Sequence, residues 1–195
     1  MSIQNDFQED EIQNHLYQND KLFKHIYNHK DIQNCQFEHI DFQDAHFENS
    51  FFVDVVFSHC DLSNIKINQT LLRRVQFRHC KLMGTDFSES LFDTVTLSHC
   101  ICQFANFSFM KNKTVHFENC SLQNASFIEN KMNKTTFDEC QLSQCEFLHA
   151  PLNSIDLSTC QIEGIIISPE DIQGAIIDVY QAAALIHLLK VNIKQ

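Results

Sequence analysis

The chain has 195 residues, 44% of them hydrophobic and 20% charged, the balance of one folded domain rather than of a disordered chain. Twenty-five acids against fourteen bases leave a formal net charge of -11, which opposes phosphate backbones and anionic lipid, so direct nucleic-acid binding and membrane attachment are not expected. No apolar run approaches the roughly 20 residues that span a bilayer, Met1 to Asp10 lacks the basic start and apolar middle of an export signal, and the expected location is the cytoplasm.

Three glycines and two prolines are few for the turns of an ordinary fold, so other residues must turn this chain. From Phe7 an apolar residue recurs at every fifth position as far as Ile167, with Asn112 as the one polar exception, and this register takes 14 of the 18 phenylalanines. The period is neither that of an amphipathic strand nor that of an α-helix. Two residues before each member lies a second, mostly small series that includes Cys35, Ala45, Ser50, Cys60, Thr70, Cys80, Thr85 and Ser90. Residues two apart in extended chain point the same way, so each unit sends one large and one small side chain into a common interior.

Over residues 1–34 the large series persists, but Asn5, Asp10, His15, Asp20, His25 and Lys30 occupy the small sites. An N-terminal cap and imperfect first coil are expected there, with off-register Leu16, Phe23 and Ile26 helping to cover the open end of the core. Residues 35–177 form the expected repeat body.

Within that body Cys60, Cys80, Cys100, Cys120, Cys140 and Cys160 recur every 20 residues. Reduced thiols filling small core slots are expected. His59, His79 and His99 each precede one of these cysteines, but in the register His points out where Cys points in, which predicts an exposed histidine ladder rather than a zinc site. Cys102, Phe104, Phe109 and Asn112 interrupt the pattern between positions 102 and 114, where a bulge is expected and a small projecting loop is the alternative. No Gly-rich phosphate cradle, nucleophile elbow, acid pair or triad stands out, so no catalytic residue, cofactor or metal is expected.

The five-residue spacing continues through Ile172 and Ile177, with Ser168-Pro169-Glu170-Asp171 suited to a short helical turn. Asp178 followed by Gln181 is a capping-box pattern that opens a helix predicted over 179–190, with Ala182, Leu185, Ile186 and Leu189 as its apolar stripe. Val191 and Ile193 are expected to add a short strand. So short a helix is not stable alone, and its stripe must cover the core end, a partner, or both. Residues 178–195, with Ile176, are therefore the candidate dimerisation element.

Units such as Cys60-Asp61-Leu62-Ser63-Asn64, Thr85-Asp86-Phe87-Ser88-Glu89 and Ala125-Ser126-Phe127-Ile128-Glu129 resemble pentapeptide repeats. The resemblance implies an all-β fold, a right-handed quadrilateral β-helix of about eight coils with four units to the coil. The segment from Gly174 through Tyr180 to Leu185, ending Val191-Asn192-Ile193, is similar to the C-terminal signature of the Qnr quinolone-resistance branch. That similarity implies two protomers joined tip to tip in an acidic rod that imitates duplex DNA and binds type II topoisomerases, DNA gyrase and topoisomerase IV. Gram-negative members of that branch carry two inserted loops, for which the unbroken register here leaves no room.

Charge is unevenly spread. Between Thr135 and Leu189 there are eight acids and no Lys or Arg, whereas Lys66, Arg73, Arg74, Arg78 and Lys81 form a basic block. In that segment acids come on the order of one per 1.3 Å of rod, against one charge per about 1.7 Å for duplex DNA. Asp138, Glu139, Glu146, Asp156 and Glu163 are the candidate partner-binding residues. The expected function is protection of a topoisomerase from quinolones by DNA mimicry, and the alternative is an interaction scaffold for another protein.

Overall fold

The computed structural model describes residues 3–23, 25–132 and 134–189. Its strands pair in parallel at a step of twenty residues. Glu11–Gln13 pairs with Asp31–Gln33, which pairs with Phe51–Val53, and the ladder runs on through Leu71–Arg78, Leu91–Ser98 and Lys111–Glu118 to Thr135–Asp138. Six twenty-residue steps separate the first and last of these seven strands, somewhat fewer than the eight coils expected. Single bridges such as Glu146↔Ile166 and Asp156↔Ile176 carry the pairing to the C-terminal end.

The expected four-sided solenoid is therefore present, and its corners have a cause that the hydrophobic register alone does not reveal. From Asn14 to Gly174 nearly every fifth residue has φ between 49° and 78°, two positions after the large inward residue. Asn, Asp, His and Gly tolerate this left-handed conformation best, and they hold most of the corners. All three glycines, Gly84, Gly164 and Gly174, lie at corners. Thr94 is the one β-branched residue in this conformation among the described residues.

Inside, the large residues form four columns. Two opposite columns are mainly aromatic: Phe37, Phe57 and Phe77 stack at 5.0 and 4.9 Å, and Phe87, Phe107, Phe127 and Phe147 at 5.3, 5.0 and 4.9 Å. Leu97 interrupts the first column before Phe117 and Phe137 resume it at 5.0 Å. The two columns meet edge to face, as Phe117 does with Phe127 at 5.8 Å and 85°. Leu62, Leu82, Leu122 and Leu142 belong to an aliphatic column between them.

The small residues close a hydrogen-bonding account as well as a volume. Thr70 Oγ1 donates to the Phe47 carbonyl at 2.8 Å, Thr85 Oγ1 to Leu62 at 2.7 Å, Ser90 Oγ to Ile67 at 2.9 Å and Cys145 Sγ to Leu122 at 2.8 Å. Each acceptor is the backbone carbonyl of a large residue in the coil below. A short side chain with a donor therefore suits the slot better than a merely small one.

At the N-terminal end the helical turn Ile3–Asp6 lies over the core, and Phe7 sits against Tyr17, Tyr27, Phe37 and Phe47 with centroids 5.5 to 6.2 Å apart. Leu16, Phe23 and Ile26 do not help to cover that end; they are exposed on the outer faces, because they fall on outward positions of coils already in register. Lys30 fills a small slot by sending Nζ out to the Glu9 carbonyl at 2.7 Å and Asp10 Oδ1 at 3.1 Å.

The interruption at 102–114 is a bulge, not a loop. Lys111–Glu118 is a continuous strand whose pairing slips against Leu91–Ser98 between Phe92 and Val95. Asn112 keeps its inward place at 7% exposure, donating through Nδ2 to Asn130 Oδ1 at 3.1 Å, while its Oδ1 has no partner. Replacing Asn112 by Leu, the residue at 72 and 152, removes its unsatisfied Oδ1 but takes the donor away from the buried Asn130 Oδ1, so stability is expected to change by no more than about 1 kcal/mol. Phe77→Ala is expected to lower it by about 3–5 kcal/mol by opening the stack. Urea unfolding of both variants checks the contrast, and equal effects would contradict this description of the core.

Candidate functional site

The five candidate acids do not share a face. Asp138 follows Glu118 in the ladder, and with Glu139 and Asp156 it lies on one side of the rod. Glu146 stands between Ser126 and Ile166 on the opposite side, and Glu163 on a third, beside the bridge Gln141↔Gln161. Glu146 accepts from Ser126 Oγ at 3.4 Å and Glu163 from Ser143 Oγ at 3.3 Å, so each carboxylate is steadied by a hydroxyl one coil below. Asp156 accepts from the Ser158 hydroxyl at 2.6 Å and its backbone N–H at 2.9 Å, and these bonds hold its carboxyl below the usual range. Asp171 belongs to the turn instead: it is buried and accepts from Ser168 Oγ at 2.7 Å and from the His149 N–H at 2.9 Å. The acidic end is thus charged on three faces, with no Lys or Arg from Thr135 to Leu189 to offset it.

The C-terminal element begins as its sequence indicates and ends sooner. Asp178 caps Val179–Leu185, accepting from the N–H groups of Tyr180 and Gln181 at 2.7 Å each, while Gln181 Oε1 accepts from the Asp178 N–H at 2.8 Å. The chain then tightens into a 3-10 turn over Ile186–Leu189, where the pattern predicts continued α-helix. Gln181 has a second task. Its Nε2 donates to the carbonyls of Leu157 at 2.7 Å and Cys160 at 2.6 Å, groups that no further coil satisfies.

Leu185 is packed on the core end at 9% exposure, so within one chain it covers the end of the core. Beside it, Pro169, Ile172, Ile177, Ala182 and Ile186 line an apolar groove of about 320 Å³. Ile176 lies on an outer face, and Val179 and Tyr180 are more exposed still, at 78% and 85%. The side chain of Leu189, and Val191 and Ile193 altogether, lie outside the described residues.

The histidines form the outward ladder expected of them: His39, His59, His79 and His99 stack with centroids 4.9 Å apart, parallel rather than converging. The nine cysteines are free and buried. Burial pushes the Cys145 thiol up to about 12. Among the described residues no group of three or more His, Cys, Asp or Glu is placed to hold a metal ion, and no helix is long and apolar enough to cross a membrane.

One surface escaped the sequence reading. Arg73, Arg74, Lys111, Lys113, Lys131 and Lys134 share one side of the rod, because positions 73, 93 and 113 and positions 111 and 131 are neighbours across coils. Asp93 Oδ2 bridges Lys113 at 3.0 Å and Arg73 at 3.3 Å, and Asp54 holds Arg74 through two bonds of 2.6 Å. The signal was the pair of lysine clusters Lys111-Asn112-Lys113 and Lys131-Met132-Asn133-Lys134, one coil apart.

The pattern of the pentapeptide repeat region matches residues 30–107 and 110–178, and the chain belongs to that family. Among solved structures it is similar to a trypsin-treated variant of QnrB1, a plasmid-mediated fluoroquinolone resistance protein, at 19% identity over 94% of this chain and 99% of that one, with a TM-score of 0.45. It is also similar to HetL, a pentapeptide repeat protein involved in heterocyst differentiation regulation in the cyanobacterium Nostoc, at 15% identity over 91% and 97% of the two chains, with a TM-score of 0.33. A pentapeptide repeat protein of the Arabidopsis thaliana thylakoid lumen matches at 24% identity over 48% of this chain and 66% of that one, with a TM-score of 0.30. No curated protein sequence matches.

Hydrogen bonds from Arg74 hold the Asp54 carboxyl, and those from Lys113 the Asp93 carboxyl, below the usual carboxylate range. A carboxyl whose folded pKa lies under its unfolded value of about 3.9 stabilises the fold above that pH, and the contribution disappears as pH falls through the lowered value. The melting temperature is therefore expected to drop below about pH 4. Asp54→Asn combined with Asp93→Asn should flatten that drop in thermal scans from neutral to acid pH; an unchanged slope would show that these pairs contribute nothing.

Proposed function

We propose that this pentapeptide-repeat rod is a DNA mimic that binds DNA gyrase or topoisomerase IV and protects the enzyme from quinolones. The observation that carries the reading is the acidic end: eight carboxylates and no Lys or Arg between Thr135 and Leu189, with Asp138, Glu139 and Asp156 projecting from one face. The similarity of the segment from Gly174 to Leu185 to the Qnr C-terminal signature supports it. A basic DNA track would meet carboxylates held on a rigid scaffold, and association would be steered by charge.

In this reading two copies join through their C-terminal ends. Ile176, Val179, Tyr180 and the groove beside Leu185 supply the apolar surface, and the join brings two acidic ends together at the centre of a longer rod. An interaction scaffold for another protein is the second reading, favoured by the spread of Glu146 and Glu163 onto two further faces, which no single flat track would contact at once.

A gyrase supercoiling assay with a fluoroquinolone separates the two. Restored supercoiling on adding the protein is the expected result, and Asp138→Lys combined with Asp156→Lys should weaken the effect about tenfold or more without altering the fold. Inhibition that stays the same with and without the protein would leave the scaffold. In sedimentation, Ile176→Lys combined with Val179→Lys is expected to give monomers with an unchanged unfolding midpoint, and a persistent dimer would place the interface elsewhere.

A further inference from the structure

Several departures from the repeat converge on one corner of the rod. Phe109, like Phe104 at the preceding corner, puts a bulky side chain in the left-handed conformation, at φ 59°, and its ring is 50% exposed. Two positions on, Lys111 is the bridge partner of Lys131 in the next coil, so two ammonium-bearing chains start about 4.8 Å apart. Neither lysine has an ion pair or side-chain hydrogen bond among the described residues, although such a like-charged pair is unfavourable by itself. A cleft of about 360 Å³ is lined by Phe109, Met110, Lys111, Asn112, Glu129 and Lys131. A half-exposed aromatic ring beside two unpaired lysines and a carboxylate, all lining one cleft, is an arrangement suited to binding rather than to packing a core.

We propose that this cleft binds a nucleoside monophosphate, with guanine preferred. The volume is within the range of small-molecule sites. Phe109 offers a ring face on which a base stacks, a contact worth having because water covers that face otherwise. Lys111 and Lys131 together take the phosphate dianion, and Lys134 on the same side raises the local potential of a chain whose net charge is -11. Glu129 selects the base. A carboxylate has two acceptor oxygens and no donor; guanine presents N1–H and its amino group side by side, whereas adenine places a ring acceptor next to its amino group. The lysine side of the rod does not include the acidic residues of the proposed topoisomerase contact, so this inference stands or falls independently of that reading.

Calorimetric titration of the intact protein with GMP, AMP and inorganic phosphate at low salt is the test. GMP is expected to bind more tightly than AMP and both more tightly than inorganic phosphate, with affinity falling as salt rises. Phe109→Asn, which installs the residue found at corners 49 and 119, and Lys131→Gln are each expected to weaken GMP binding about tenfold. Glu129→Gln should abolish the preference for GMP over AMP. Thermal melts of the three variants, all changed at outward positions, report that the fold is retained. No heat with GMP, equal affinity for inorganic phosphate, or GMP affinity unaffected by both Phe109→Asn and Lys131→Gln would overturn the proposal.

Discussion

The structure depends on one constraint: the backbone hydrogen bonds of each coil are made to the coils above and below, at a separation of twenty residues. Apart from the C-terminal helix and turn bonds such as that from the Ala45 N–H to the Phe42 carbonyl, the N–H and C=O groups of a coil are satisfied by its neighbours, so a coil is stable only where those neighbours are in register. Everything repeated in the sequence serves that register. Large residues stack into columns that fix the vertical alignment, small donors such as Thr70 and Thr85 tie inward carbonyls to the coil above, and left-handed corners such as Asn34, His59 and Asn124 return the chain to the same place after four sides. The ends lack a neighbour, and each has its own remedy: Phe7 and the turn Ile3–Asp6 at one end, Gln181 with Leu185 at the other.

Much of this was legible in the residues because periodicity is a local property that survives without coordinates. The inward columns, the outward histidine ladder and the capping box at Asp178 follow from spacing and side-chain chemistry alone. What was not legible depends on backbone conformation or on the distance between coils. The left-handed corners are written in the excess of Asn, Asp and His at one position, a weaker signal than a run of phenylalanines because many polar residues tolerate the site. Leu16, Phe23 and Ile26 looked like a cap because apolar residues off the register invite burial, yet a coil already in register leaves their positions outside. The spacing left open whether Leu185 meets the core end, a partner, or both, because a helical stripe does not say which surface it meets; within one chain it packs on its own core.

A solenoid of this kind separates its surface from its core more completely than most folds. Three of every five residues point outward and have little to do with stability, so the faces can diverge in charge. The acidic end spreads over three faces, while the lysine side lies in earlier coils and is partly neutralised by Asp54 and Asp93. The two surfaces suit partners of opposite charge, and the rigid stack between them fixes their separation. Function in such a molecule is a pattern of outward residues on a common lattice, and exceptions such as Phe109 and Asn112 are informative because the lattice makes exceptions expensive.

The central claim is that the chain is a stack of interchangeable twenty-residue coils held by register. The most direct measurement compares two deletions by circular dichroism and urea unfolding. Removing residues 61–80 joins Cys60 to Lys81 and takes out one whole coil, which the account predicts to leave a β-rich protein with a single cooperative transition. Removing residues 61–77 takes out less chain but breaks the register, and the account predicts loss of cooperative unfolding. Loss of folding in the first deletion, or a sharp transition in the second, would contradict it.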